Sequence, residues 1–212
     1  MGYAVKEIFF TLQGEGVHSG RPAVFLRMSG CNLWNGREAD RATGAGSCSL
    51  WCDTDFLGTD GTGGGKFADA ATLADAVASH WPGDGRRFVV CTGGEPLLQL
   101  DTPLVQALHE RGFEIAVETN GTQLAPPGID WICMSPKAGA ELKLTRGNEL
   151  KLIFPQEGLD PASLETLAFD HFLLQPLDGP AQAENTQWAL TYCMQHPRWR
   201  LSLQTHKLVG IR

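Results

Sequence analysis

Strand-length apolar runs punctuate the chain at 23–28, 88–91, 114–118, 131–135, 150–154, 172–175 and 200–204. Helical patterns stand between several of them, at 72–81, 103–111 and 183–195. In the second pattern Leu104, Val105 and Leu108 recur at helical spacing, and Asp101-Thr102-Pro103 offers a cap and a first-turn proline. Apolar strands alternating with helices predict an α/β fold, a parallel sheet covered by helices. The stretch 35–47 is polar and rich in small residues, and 58–66 carries five glycines, so both read as loops. The tail 205–212 is too short for an element of its own. No internal repeat is visible, and residues 1–212 read as one domain.

Ligands of such sheets bind at the carboxyl ends of the strands, and the polar motifs of this chain fall there. Cys31 follows the first run, Thr92-Gly93-Gly94-Glu95-Pro96 the second and Glu118-Thr119-Asn120-Gly121 the third. Ser135-Pro136-Lys137 follows the fourth, and Gln175-Pro176-Leu177-Asp178 ends a later one.

Cys31, Cys48 and Cys52 share one loop. Structural zinc wants four ligands and commonly repeats a Cys-x-x-Cys knuckle. Here there are three thiols, no knuckle and no His between them, a donor set suited to an iron–sulfur cluster. Three thiolates on four irons leave one iron open for chemistry. Cys91 and Cys133 lie in apolar runs and read as core residues, and Cys193 lies in a helix without a partner pattern.

Several motifs have plainer alternatives. The Gly-Gly-Glu-Pro segment also suits a strand-to-helix turn, with Glu95 as a cap. Gln13-Gly14-Glu15-Gly16 also suits a surface turn. Asp53 and Thr54 offer oxygen ligands to a hard cation such as magnesium, or simple turn chemistry. The glycine-rich 61–67 segment is no phosphate loop, because Phe67 stands where a metal-binding hydroxyl belongs. His18, His80, His109, His171 and His196 lack metal-ligand spacing.

Composition narrows the classes. Forty-two per cent of the 212 residues are apolar, enough for a proper core. No apolar run is long enough to span a bilayer, and the first residues lack a signal-peptide core. A cytoplasmic protein with reduced thiols is expected. Seventeen basic against 24 acidic residues give a net charge of −7 with no basic stripe, which argues against nucleic acid as a partner.

Taken together, these motifs resemble the radical S-adenosylmethionine enzymes, and within them the 7-carboxy-7-deazaguanine synthase family of queuosine and deazapurine biosynthesis. The resemblance covers nearly the whole chain. Its superfamily-wide parts are the cysteines and Gly-Gly-Glu-Pro; Gln13-Gly14-Glu15-Gly16 and Gln204-Thr205-His206-Lys207 are more specific. It implies an incomplete, modified (β/α) barrel and a homodimer. Cys31, Cys48 and Cys52 would hold a [4Fe–4S] cluster, reduced by an external flavodoxin- or ferredoxin-like donor. S-adenosylmethionine would be held by Asp53, Gly94, Glu118, Ser135, Pro136, Lys137, Gln175, Pro176, Leu177 and Asp178. Leu12, Gln13, Gly14, Glu15, Arg27, Thr92 and His206 would surround a pterin, Thr54 would bind Mg2+, and the terminal residue, Arg212, would close the substrate site.

The implied reaction is radical ring contraction of 6-carboxy-5,6,7,8-tetrahydropterin to 7-carboxy-7-deazaguanine, with loss of ammonia and regeneration of S-adenosylmethionine. Arg27 suits a substrate carboxylate, and Gln13 and Glu15 suit a pterin ring. Two other readings compete: a glycyl-radical-enzyme activase and a non-catalytic metal-binding module. The chain also departs from the pattern. Sixteen residues separate Cys31 from Cys48 and three separate Cys48 from Cys52, where the superfamily commonly has three and two. Ser49 therefore stands at the usual second-cysteine position, with the 35–47 insertion before it. Relatives often end in Pro, whereas this chain ends in Arg212.

Overall fold

The computed structural model describes residues 2–212. Nine strands form one open sheet in the order β3-β1-β2-β4-β5-β6-β7-β8-β9. The predicted runs appear as β2 (Pro22–Met28), β4 (Arg87–Gly93), β5 (Phe113–Thr119), β6 (Trp131–Met134), β7 (Arg146–Phe154), β8 (Ala168–Pro176) and β9 (Trp199–Leu201). From β2 onward neighbouring strands are parallel and in chain order. The mixed part is the N-terminal edge. There β1 (Tyr3–Leu12) pairs antiparallel with β2, and β3 (Gly65–Phe67) pairs antiparallel with β1. An all-parallel sheet was therefore too simple an expectation. A register shift between Val5 and Glu7 interrupts the alternation of β1 and hides it from a periodicity test. β3 takes the end of the glycine-rich stretch expected to be a flexible loop.

Helices α1 (Ala70–Ser79) and α2 (Thr102–Glu110) start at side-chain caps. Asp69 accepts from the Thr72 amide at 2.8 Å and Asp101 from the Leu104 amide at 3.1 Å. Their apolar faces, Leu73 and Val77 on one and Leu104, Val105 and Leu108 on the other, pack on the sheet with Val24, Val89 and Ile115. Helices α3 (Pro161–Leu164) and α4 (Gln182–Gln195) bury Leu164 and Ala189 with Leu150, Leu152 and Trp199 at the other end. The tail is not structureless. α5 (Thr205–Val209) is stopped by Gly210 in the left-handed region, and Thr205 donates from its amide and hydroxyl to the Gly14 carbonyl, at 2.8 and 2.7 Å. Among the described residues no helix is long and apolar enough to cross a membrane.

Period-two alternation sorts the strands. On β4, Val89 and Cys91 face the helices, while Phe88 and Val90 join Ala23, Ala116, Phe25 and Trp131 on the opposite face. One step further along that same opposite face stand Arg27, Thr92, Glu118, Cys133, Lys151 and Gln175. On β2, β4, β5 and β6 that face therefore passes from an apolar patch to polar groups at the carboxyl ends.

Candidate active site

The polar ends line a cavity of about 420 Å³. It gathers Cys31, Cys48 and Cys52 with Asp53, Thr54, Gly94, Glu118, Ser135, Lys137 and Gln175. Leu12, Gln13, Gly14, Glu15, Arg27, Thr92, His206 and Arg212 line it as well. Pro136, Pro176, Leu177 and Asp178 do not reach its wall. Asp178 acts at one remove: Lys207 Nζ bridges its carboxylate to that of Asp53, 2.8 Å away, and so ties α5 to the cysteine loop.

The cysteine loop is shaped by backbone contacts. The Glu95 amide donates to the Gly30 carbonyl at 3.0 Å. A Cβ on Gly94 would stand 2.7 Å from Cys31 Cβ and closer still to the Gly30 oxygen, so only glycine allows this approach. Glu95 is fully buried and accepts from Leu97 N, Thr119 Oγ1 and Asn120 N at 2.7–2.9 Å. It fastens the loop after β4 to the end of β5, the capping role considered for it; burial still pushes its carboxyl up. Cys48 lies in a 3-10 turn, Ser47–Leu50, and its carbonyl accepts from the Cys52 amide at 2.7 Å. The three-residue gap is therefore one helical turn that sets both thiols on the cavity. Ser49 turns away, its hydroxyl donating to the Arg41 carbonyl at 2.7 Å.

The donor set fits a [4Fe–4S] cluster. The Leu33 amide points at Cys31 Sγ at 3.4 Å, and Trp34 Nε1 in the same wall is buried without a partner among the described residues. Both are donors suited to cluster sulfur. Burial pushes the Cys31 thiol up and the Cys48 thiol up to about 11. Among the described residues no three His, Cys, Asp or Glu side chains converge on a point suited to one metal ion.

A second group of side chains is held by charge. Lys151 Nζ lies 2.6 Å from Glu15 Oε2 and 3.4 Å from Glu118 Oε1. Gln13 Nε2 donates to Glu118 Oε1 at 2.8 Å, and Gln204 Nε2 to Glu15 Oε1 at 2.9 Å. Burial alone raises the Glu15 carboxyl, but Lys151 and the amide donors outweigh it and hold it well below the usual range. Arg27 and Thr92 are register partners on adjacent strands. Arg27 Nε donates to Glu7 Oε1 at 2.9 Å, and Arg212 pairs with the other Glu7 oxygen while covering the Phe9 ring.

No family profile matches the chain. Curated relatives do. It is 62% identical to 7-carboxy-7-deazaguanine synthase of Bordetella pertussis and 57% identical to that of Nitratidesulfovibrio vulgaris, each over 100% of both chains. The crystal structure of QueE from Escherichia coli superimposes with a TM-score of 0.70 at 31% identity, covering 97% of this chain and 95% of that one. The chain belongs to the 7-carboxy-7-deazaguanine synthase family.

Within this family member, sequence reasoning missed Glu7, Lys151 and the bridging role of Lys207. A lysine amid Glu149-Leu150-Lys151-Leu152 was the available signal, since charge inside an apolar strand must face something. Cys91 is core, as expected. Cys133 is buried too but lines the cavity and donates to Glu149 at 3.5 Å, so it is a wall residue rather than plain core. Of the histidines, His109 pairs with Asp130, His171 stacks on Trp131 and His196 on Tyr192.

Proposed function

We propose that the chain converts 6-carboxy-5,6,7,8-tetrahydropterin to 7-carboxy-7-deazaguanine with loss of ammonia, in queuosine biosynthesis. The observation that supports this most is the convergence of three thiols, the cofactor-type residues and the pterin-type residues on one cavity. Cys31, Cys48 and Cys52 would hold the [4Fe–4S] cluster. Gly94, Glu118, Ser135, Lys137 and Gln175 would hold S-adenosylmethionine, with Asp53 nearby and Pro136, Pro176, Leu177 and Asp178 shaping the surrounding backbone. When bound, the reduced cluster and S-adenosylmethionine would supply the radical chemistry, and the residues above would hold that cofactor against the pterin.

The chain's own residues position and shield. Gln13 and Glu15 match donors and acceptors of the pterin ring, with Leu12, Gly14 and His206 beside them. Arg27, whose Nε is engaged by Glu7, keeps its outer guanidinium edge for the substrate carboxylate. Thr92 stands next to it. Thr54 would offer its hydroxyl oxygen to Mg2+, a hard cation that would orient the substrate oxygens. Arg212, folded onto Glu7, forms the end of the wall. The open sheet reads as an incomplete (β/α) barrel in a single domain, 1–212. We read the enzyme as a cytoplasmic homodimer served by a flavodoxin- or ferredoxin-like donor.

Anaerobic reconstitution, reduction and addition of S-adenosylmethionine, Mg2+ and the pterin tests this. Multiple turnovers of 7-carboxy-7-deazaguanine by mass spectrometry are expected. Release of 5′-deoxyadenosine without that product would reject the substrate; no cofactor cleavage would reject the chemistry.

A further inference from the structure

Neither the motifs nor the ligand roles above use Lys151. It sits on the cavity face of β7, between Leu150 and Leu152, which point into the opposite core. Its side chain is only 4% exposed. A buried ammonium is costly unless its donors find acceptors and its charge a partner. Lys151 has two, and they come from different parts of the chain. Glu15 lies in the turn after β1, Glu118 near the end of β5. In the proposed reaction Glu15 faces the pterin and Glu118 faces S-adenosylmethionine. Gln13 adds a second link, because its amide donates to the same Glu118 oxygen that Lys151 approaches.

We propose that Lys151 is a positioning residue that couples the two subsites. A single ammonium serves both carboxylates, so ordering one carboxylate by its ligand fixes the ammonium for the other. Each ligand therefore tightens the binding of its partner, by the same factor in both directions. This rests on the assignment of Glu15 and Glu118 to different ligands.

The test uses reconstituted protein with the cluster left oxidised, so that nothing turns over. Binding of S-adenosylmethionine is measured without and with 6-carboxytetrahydropterin, and binding of the pterin without and with S-adenosylmethionine. In the parent each ligand should lower the other's Kd by at least about five-fold. In Lys151→Met both ratios should fall toward one, with only the Gln13 link remaining, and Lys151→Arg should recover part of the coupling. Iron content and melting temperature report whether the variants fold. Should Lys151→Met not fold, the parent alone still decides: tight binding of both ligands with a ratio of one overturns the coupling. Unchanged ratios in a folded Lys151→Met overturn the role of this residue. A parent that binds neither ligand overturns the underlying reading, and the coupling with it.

Discussion

Cys31, Cys48 and Cys52 are fixed by backbone: a glycine contact with the loop after β4, a 3-10 turn and the carbonyls that Arg41 gathers. Glu15, Glu118 and Gln13 are fixed by side chains, through a buried ammonium and amide donors. The cysteine loop rests on a local turn and on one backbone approach, of Gly30 to the loop after β4, that the absence of a Cβ on Gly94 allows. The polar network rests on partners as distant in sequence as Lys151 and Glu15, 136 positions apart. The first kind of site fails when a backbone cannot approach, the second when a charge loses its counterpart.

The largest effect falls on the cysteine loop. Cys48→Ala should abolish cluster assembly while Ser49→Ala retains it; iron and sulfide analysis would show the reverse if Ser49 marked the true ligand position. Gly94→Ala comes next. Its methyl would meet Cys31 and the Gly30 carbonyl, costing about 1–3 kcal/mol and lowering iron content, both read by denaturant melts and metal analysis.

The polar network should announce itself by pH. Glu15 is depressed from its ordinary value near 4.5 to about 2. Its contribution to stability is complete above pH 4.5 and is lost as pH falls toward 2. In Lys151→Met the buried carboxylate has no cation, so that variant should instead lose stability as pH rises through the elevated Glu15 value. Melting curves from pH 3 to 8 would separate the two slopes, and parallel curves would break the contrast drawn here.

Arg41→Ala is a smaller test. Arg41 donates to the Ser49 and Cys52 carbonyls at 2.7 and 3.1 Å and lies over Trp34. Its loss should cost about 1 kcal/mol and quicken iron release to a chelator without preventing assembly. Smallest is Arg212→Ala. Its side chain is 57% exposed, so stability should change by under about 1 kcal/mol, with the effect confined to KM for the pterin.

The same contrast explains what was legible beforehand. Strands β2, β4 and β5 announce themselves as apolar runs, and α2 by its cap and spacing. β1 was hidden because its register shifts after Val5, and α5 because Thr205 needs the distant Gly14 carbonyl to fasten it. Cavity residues inside motifs, such as Cys31, Gly94 and Gln13, were found. Glu7 and Lys151 were not, since each matters through a partner that only the folded sheet brings near.

The length of the segment between Cys31 and Cys48 has a consequence for how such proteins are recognised. The segment is pinned at its start by Gly30 against the loop after β4, at its middle by Arg41 against the turn of Cys48, and at its end by the Ser47 amide on the Ala138 carbonyl. Lengthening a tethered loop adds only slowly to the entropy of closing it, so the residue count between the first two cysteines is nearly free to drift. A signature that counts residues would overlook such a chain. One that asks for a single helical turn between the last two cysteines, and a glycine where the next strand's loop presses on the first, would retain it.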